Sequence, residues 1–180
     1  MLPGYRKARD DPFAIVETTM SQTPAEKPVP SSKVLVVDDN VQNLELLQAY
    51  MDDVDGISTV AATDGVEALE KVAAEQPDLI LLDIMMPRMS GFEVCKRLKS
   101  DPGTRKIPIV MVTALNELGD IERAVECGTD DFLTKPVSRI ELVTRVKTLL
   151  RVRHLQSELD RVMAYLEKLE AGSTRSEGLS

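Results

Sequence analysis

Short aliphatic and β-branched runs alternate along the chain with segments in which apolar residues recur every three or four positions. The three- and four-residue spacing, seen for example across 41–51 and 66–72, indicates helices. Strands and helices in alternation predict an α/β fold, with a parallel sheet covered by helices on both faces. The runs that predict the five strands lie at 34–37, 57–61, 79–82, 107–112 and 132–133.

Helix starts show a recurrent pattern, in which Ser or Asp is followed three residues later by Glu. This spacing predicts capping boxes, where each side chain satisfies a backbone N–H of the first turn. The pairs are Asp64 with Glu67, Ser90 with Glu93, and Ser138 with Glu141.

Residues 1–32 differ in composition from the rest of the chain. Pro24, Pro28 and Pro30 lie among small and charged residues, which predicts a flexible arm that buries little surface. We expect the α/β domain over 33–150, a helical extension over 151–170 and a disordered tail over 171–180.

The residues at the ends of the predicted strands carry the chemistry. Asp38 and Asp39 end the first strand, Asp83 the third and Thr113 the fourth, and Lys135 follows the fifth. In parallel sheets, sites form at the carboxyl ends of the strands, so these groups converge. Three carboxylates at close quarters repel one another, and Mg²⁺ with oxygen ligands resolves that conflict. A carboxylate beside such a cation can act as a nucleophile toward phosphorus, with Lys135 neutralising the phosphoryl oxygens.

Each of these features is common alone. An Asp-Asp pair after a strand is usually a turn or a helix cap, and Lys-Pro is a frequent turn. Their joint occurrence at different strand ends of one sheet is what indicates a phosphoryl-transfer site.

Four segments together resemble the motifs of bacterial response-regulator receiver domains. They are 34–39 (VLVVDD), 81–87 (LLDIMMP), 112–114 (VTA) and 131–136 (DFLTKP). The resemblance covers about 33–150 and implies a flavodoxin-like (βα)5 doubly wound sheet with strand order 2-1-3-4-5. It departs slightly at Ser90, where receivers often carry Asp; Ser caps a helix equally well.

The resemblance also implies roles for individual residues. Asp83 would be the phosphoacceptor, and a sensor histidine kinase or a phosphotransfer protein would supply the phosphoryl group. Mg²⁺ would be bound directly by Asp39, Asp83 and the backbone carbonyl of Met85, and through water by Asp38. Thr113 and Lys135 would contact the phosphoryl oxygens, Phe132 would change rotamer, and the Lys135-Pro136 bond would be cis.

Two positions beside the site are expected to set the lifetime of the phosphoryl group. Met85 lies two residues beyond Asp83, and Leu115 lies two residues beyond Thr113. Both side chains are apolar and cannot orient an attacking water, so we expect slow hydrolysis.

The last predicted helix runs on beyond the domain, with no Gly or Pro across 138–170 and a first plausible end at Gly172. Three interpretations stay open: a homodimeric coiled coil, a helix folded back on its own domain, and a helix leading to an effector. The apolar residues of this extension fall at alternating spacings of three and four, as in a heptad repeat. This apolar stripe is formed by Val152, Leu155, Leu159, Val162, Leu166 and Leu169.

Composition narrows the remaining possibilities. A net charge of −8 argues against nucleic acid as a direct partner. Cys95 and Cys127 are too few for a disulfide framework and share no metal-ligand spacing with His154, which we assign to the surface. No apolar run approaches the length of a membrane span, so we expect a cytoplasmic protein without membrane contact.

Other functions fit the sequence less well. An aspartate-nucleophile phosphatase needs an acid–base Asp where this chain has Met85. A flavin module needs a Ser/Thr/Gly-rich loop after the first strand, where this chain is acidic. We therefore predict a signalling switch with an unidentified downstream protein target and no catalysis beyond its own phosphorylation and dephosphorylation. The alternative is the receiver portion of a larger effector, such as a cyclic-dinucleotide cyclase or phosphodiesterase.

Overall fold

The computed structural model describes residues 31–114 and 118–176, apart from the side chains of 118–121 and 170–176. The predicted arm up to residue 30, Leu115 and the last four residues of the predicted tail lie outside the described residues. Among the described helices, none is long and apolar enough to cross a membrane.

Five strands and five helices alternate along the described chain. The strands form one parallel sheet in the order β2-β1-β3-β4-β5, with helices on both faces, which confirms the predicted doubly wound fold. The elements are β1 (Ser32–Val37), α1 (Val41–Asp52), β2 (Ile57–Ala62), α2 (Gly65–Glu75), β3 (Leu79–Leu82), α3 (Gly91–Ser100), β4 (Ile109–Thr113), α4 (Leu118–Glu126), β5 (Asp131–Thr134) and α5 (Arg139–Ser176).

The central strands are buried on both faces. All four residues of β3 are inaccessible to solvent, and alternate side chains enter opposite cores. Ile80 and Leu82 pack with α2 and α3, whereas Leu79 and Leu81 pack with α1 and α5. A strand with two buried faces needs apolar residues at every position, which explains the continuous run in the sequence.

The strand register aligns the ends that carry the chemistry. Val37, the last residue of β1, pairs with Leu82, the last residue of β3. Asp38 and Asp83 therefore leave the sheet at the same level. At the other side of the sheet, Thr113 pairs with Thr134, so Lys135 begins where β4 ends.

Several predicted element boundaries change in the structure. Ile107 is buried but precedes β4, because Pro108 has no N–H to begin a ladder. Helix α5 continues through Gly172 to Ser176, so the first six residues of the predicted disordered tail are helical. A single glycine costs a helix only about 1 kcal/mol and does not by itself end it.

The predicted helix caps are partly confirmed. Ser90 and Glu93 form a reciprocal capping box at α3. Asp64 caps α2 by accepting the backbone N–H groups of Val66 and Glu67, but the Glu67 carboxylate binds Thr63 instead of closing the box. This carboxylate takes the Thr63 backbone N–H and hydroxyl together, which supply two hydrogen bonds in place of one.

Candidate functional site

Three aspartates converge at the carboxyl end of the sheet. Asp38, Asp39 and Asp83 each place a carboxylate oxygen within 4.8 Å of the other two. Asp38 and Asp83 are only 1% and 5% exposed, whereas Asp39 is open to solvent. The sheet thus creates a half-open pocket of concentrated negative charge.

Lys135 is the cation of this pocket. Its Nζ donates to Asp38 Oδ2 at 2.7 Å and to Asp83 Oδ1 at 3.2 Å. Burial alone would lower the pKa of Lys135, but the hydrogen bond to Asp38 and the charges of both aspartates outweigh it and raise that pKa. Lys135 is therefore held as an ammonium ion between two carboxylates.

The charge of Asp83 is only partly compensated. Burial raises the pKa of Asp83, the Lys135 charge opposes that shift, and the Asp38 charge reinforces it. The net direction is upward, so the ionised carboxylate is less stable here than in water. A second cation at the cluster would relieve this.

Asp38 is fixed in place by two asparagines that the sequence reasoning missed. Its Oδ1 accepts the Asn40 backbone N–H at 2.9 Å and the Asn43 side-chain N–H at 3.1 Å. Asn40 also caps α1, since its side chain accepts from the backbone N–H groups of Gln42 and Asn43. The cap could have been found in the sequence, because Asn directly precedes the helical periodicity.

The loop after Asp83 is held close by α3. A Cβ on Gly91 would lie 2.2 Å from the backbone oxygen of Asp83, so no other residue fits there without displacement. The Gly91 N–H donates to the carbonyl of Ile84 at 3.0 Å. Within the loop, Arg88 has a φ of +67° and forms an ion pair with the buried Asp64. These contacts set the position of the segment that carries Met85.

The remaining predicted residues surround the cluster. Thr113 is buried at the end of β4, and its carbonyl accepts the Lys135 N–H at 2.8 Å. The Lys135-Pro136 bond is cis, as expected. Phe132 is 37% exposed on β5, and the Met85 side chain is 63% exposed.

The donor set fits a hard divalent cation. Three carboxylates offer oxygen ligands within one small volume, and the exposed Asp39 leaves a side open for retained water, which Mg²⁺ prefers. Asp38 already uses both oxygens in hydrogen bonds to Lys135, Asn40 and Asn43, which suits an indirect ligand.

A comparison with known protein families identifies the family of this chain. The family model for the response regulator receiver domain matches residues 34–147. The chain belongs to the response regulator receiver family. The receiver motifs identified in the sequence all fall inside the matched segment.

Similar curated proteins are longer response regulators. Response regulator PleD of Caulobacter vibrioides is 46% identical over 129 residues, which make up 72% of this chain and 28% of PleD. PhoP of Bacillus subtilis, an alkaline phosphatase synthesis transcriptional regulatory protein, is 45% identical over 121 residues, 67% of this chain and 49% of PhoP. The chain thus spans less than half the length of these relatives.

Solved receiver structures agree with the fold. The signal receiver domain of a signal transduction histidine kinase from Syntrophus aciditrophicus has a TM-score of 0.63 and 37% identity, covering 67% of this chain and 90% of that one. Chemotaxis protein CheY4 of Vibrio cholerae has a TM-score of 0.62 and 29% identity, covering 66% and 98%.

The two cysteines of the receiver lie close together, which the sequence did not reveal. Cys95 Sγ is 3.4 Å from the backbone oxygen of Cys127, and both thiols are free. Burial raises the pKa of Cys95 to about 12 and also raises that of Cys127. Neither is a reactive thiolate at neutral pH. His154, assigned to the surface, is half-buried and lies 3.4 Å from Ser32 Oγ through Nε2.

Proposed function

We propose that this receiver is a phosphorylation-dependent switch that accepts a phosphoryl group on Asp83. The donor is a sensor histidine kinase or a phosphotransfer protein in the cytoplasm. The observation that supports this most is the buried Asp83 carboxylate, which lies beside Lys135 within a cluster of three aspartates. Lys135 compensates the charge of Asp83 only in part, so the cluster still requires a second cation. A carboxylate whose charge was fully paired would be a poor nucleophile.

The transfer requires one bond to form and one to break. An oxygen of Asp83 forms a bond to phosphorus while the bond from phosphorus to the imidazole nitrogen of the donor breaks, and that nitrogen keeps the electron pair. Mg²⁺, held by Asp39, Asp83 and the Met85 carbonyl, and by Asp38 through water, would supply charge neutralisation. Lys135 and Thr113 bind the phosphoryl oxygens on the other side.

Transmission begins at Thr113. A phosphoryl group on Asp83 adds acceptor oxygens that draw the Thr113 hydroxyl inward, and Phe132 then turns from its half-exposed position to fill the vacated space. Because β5 connects α4 to α5 in the chain, this movement would repack the surface that a downstream protein target reads. The apolar side chains of Met85 and Leu115 would prolong the signal.

The direct test is labelling by a small phosphodonor. Acetyl phosphate with Mg²⁺ should add one acid-labile phosphoryl group to the protein, and Asp83→Asn should abolish it. Unchanged labelling of that variant would remove Asp83 from its assigned role.

A second candidate is the receiver portion of a larger effector, such as a cyclic-dinucleotide cyclase or phosphodiesterase. It is supported by the coverage of the curated relatives, which extend well beyond the matched segment. In both cases the receiver itself catalyses only its own phosphorylation and dephosphorylation.

The C-terminal helix supports a homodimer. The six residues of the apolar stripe are 44–61% exposed, so the helix does not bury them against its own receiver. Exposed apolar side chains in a continuous line along a helix are stabilised when a second helix covers them.

A further inference from the structure

The turn that follows the Met85 segment is held in a strained conformation. The Met89 N–H donates to the carbonyl of Pro87 at 2.8 Å, which closes a three-residue γ-turn with Arg88 at its centre. The φ of Arg88 is +67°, close to the value of the rare, strained form of this turn. Because a residue with a Cβ is disfavoured at positive φ, Arg88 needs contacts that hold it there.

Asp64 supplies the contact that holds Arg88. The Arg88 guanidinium forms an ion pair with Oδ2 of Asp64, whose side chain is only 5% exposed. The other carboxylate oxygen, Oδ1, accepts the backbone N–H groups of Val66 and Glu67 at the start of α2, at 2.8 and 3.1 Å. Because the helix fixes this carboxylate, Arg88 is tied to a rigid part of the receiver.

The start of α2 also packs tightly against the turn. A Cβ on Gly65 would lie 2.8 Å from the backbone oxygen of Met89 and 2.7 Å from a methyl group of Val94. The glycine therefore lets α2 approach the turn more closely than any other residue would. The ion pair and this close packing are two separate contacts between the same two segments.

The loop after β3 is consequently fixed at two points. At its base, the Gly91 N–H donates to the carbonyl of Ile84 at 3.0 Å. At its far end, Arg88 is paired with Asp64. Met85, whose carbonyl is the expected Mg²⁺ ligand, lies between these points, only three residues from Arg88. A change in the turn would therefore reach Met85 over a very short stretch of chain.

We propose that Arg88 is a positioning residue for Mg²⁺ binding, because its ion pair with Asp64 holds the turn that fixes the Met85 segment. The inference rests on the proposed function and extends the metal site to a pair of residues outside the aspartate cluster. With the pair intact, the loop is already in place, and binding of the ion does not have to order it.

The charge of Arg88 does not itself favour the metal ion. A cation in this loop repels Mg²⁺, and the pairing with Asp64 neutralises that charge. The Arg88 side chain is 64% exposed, so water and salt screen what remains. The role of Arg88 is therefore conformational, and it can be measured apart from its charge.

Two substitutions at Arg88 separate the turn from the charge. Arg88→Met and Arg88→Gly both remove the guanidinium and leave Asp64 without its counter-charge, so they change the local charge equally. Only Arg88→Met keeps a Cβ, which disfavours the positive φ, whereas glycine adopts it readily. In calorimetric titrations of the full chain, Arg88→Met should bind Mg²⁺ roughly fivefold more weakly than Arg88→Gly, the factor that corresponds to the cost of a left-handed conformation.

Two further variants serve as controls. Gln76, at the end of α2, also has a positive φ, +47°. Gln76→Gly should leave the Mg²⁺ affinity unchanged, because Gln76 lies outside the loop; a gain in affinity would show that any relief of backbone strain has this effect and would overturn the role of Arg88. Arg88→Lys keeps a cation for Asp64 and should bind Mg²⁺ more tightly than Arg88→Met.

The comparison does not depend on the stability of a single variant. A buried Asp64 without its counter-charge destabilises both Arg88 variants, so the pair is also made in an Asp64→Asn background. Asparagine still caps α2 and buries no charge. Thermal unfolding without Mg²⁺ shows which background is folded, and the same difference between the two Arg88 variants is expected there.

The outcomes distinguish this inference from the proposed function. Equal Mg²⁺ affinities of the two Arg88 variants in a folded background would overturn the role of Arg88, while a parent that binds Mg²⁺ and is labelled on Asp83 would leave the proposed function standing. A parent that binds no Mg²⁺ would overturn both.

Discussion

Lys135 Nζ lies 3.2 Å from Oδ1 of Asp83, the carboxylate proposed to accept the phosphoryl group. The same ammonium lies 2.7 Å from Asp38 Oδ2. One half-buried cation thus serves two buried carboxylates, and the third carboxylate, Asp39, is left exposed. Without a metal ion, the stability of this end of the sheet depends on Lys135.

Lys135→Met removes that cation without adding a polar group. The two buried carboxylates then have no counter-charge, and Asp38 keeps only its hydrogen bonds from Asn40 and Asn43. This should lower the free energy of unfolding by about 2 kcal/mol in the absence of Mg²⁺. Added Mg²⁺ should restore more stability to this variant than to the parent. Denaturation with and without Mg²⁺ measures both effects, with the exposed Lys147→Met as control. A loss no larger than that of Lys147→Met would show that the pair is unimportant.

The metal site predicts that Asp39→Ala weakens Mg²⁺ binding more than Asp38→Ala does. Asp39 is exposed and free to bind Mg²⁺ directly, whereas Asp38 is tied to Lys135, Asn40 and Asn43. Asp38→Ala should therefore weaken Mg²⁺ binding about tenfold, as loss of an indirect ligand does, and Asp39→Ala should weaken it further. Calorimetric titration gives both constants. Equal affinities for the parent and both variants would refute the site.

The lifetime of the phosphoryl group should respond to Met85. Its side chain is 63% exposed, so a polar replacement disturbs little packing. Met85→Asn adds groups that can orient a water in line with the phosphorus, and should speed the loss of the phosphoryl group several-fold, on the order of 1 kcal/mol in the barrier. Decay of the labelled protein after removal of the donor measures this, with Met85→Leu as the apolar control. A slower or unchanged decay contradicts the prediction.

The apolar stripe should control assembly and leave the switch intact. Leu159 lies at its centre and is exposed in the single chain, so Leu159→Asp should not unfold the receiver. It should convert dimers to monomers by placing two charges against each other, while labelling of Asp83 continues. Light scattering gives the mass, and Ala164→Asp adds the same charge off the stripe. A parent protein that is already monomeric at high micromolar concentration decides against the homodimer.

Much of the fold could be read from the sequence because the pattern is strongly constrained. The buried faces of β3 demand an unbroken apolar run, and the strand ends of a parallel sheet necessarily meet. The sequence therefore predicts that four side chains lie close together: Asp38, Asp39, Asp83 and Lys135. The proximity of Thr113 follows from its pairing with Thr134.

What could not be predicted depends on contacts between distant parts of the chain. The hydrogen bond from the Asn43 side chain to Asp38 forms because the turn into α1 places the Asn43 amide beside the Asp38 carboxylate. The contact of Cys95 with Cys127 links α3 to the end of α4, and no sequence spacing encodes it. The ion pair of Lys106 with Asp160 on α5 joins residues 54 positions apart.

The most direct measurement is the stoichiometry of phosphoryl incorporation by the parent and by Asp83→Asn, with acetyl phosphate and Mg²⁺. Burial raises the pKa of Asp83, so its charge costs stability at neutral pH. A raised carboxyl pKa stabilises the fold below the unfolded pKa, and that contribution is lost as the pH rises through the folded pKa. Asp83→Asn should therefore be at least as stable as the parent without Mg²⁺, and lost labelling cannot then be ascribed to unfolding.

One phosphoryl group on the parent and none on a folded Asp83→Asn is the predicted result. Equal labelling of the two proteins would contradict the assignment of Asp83.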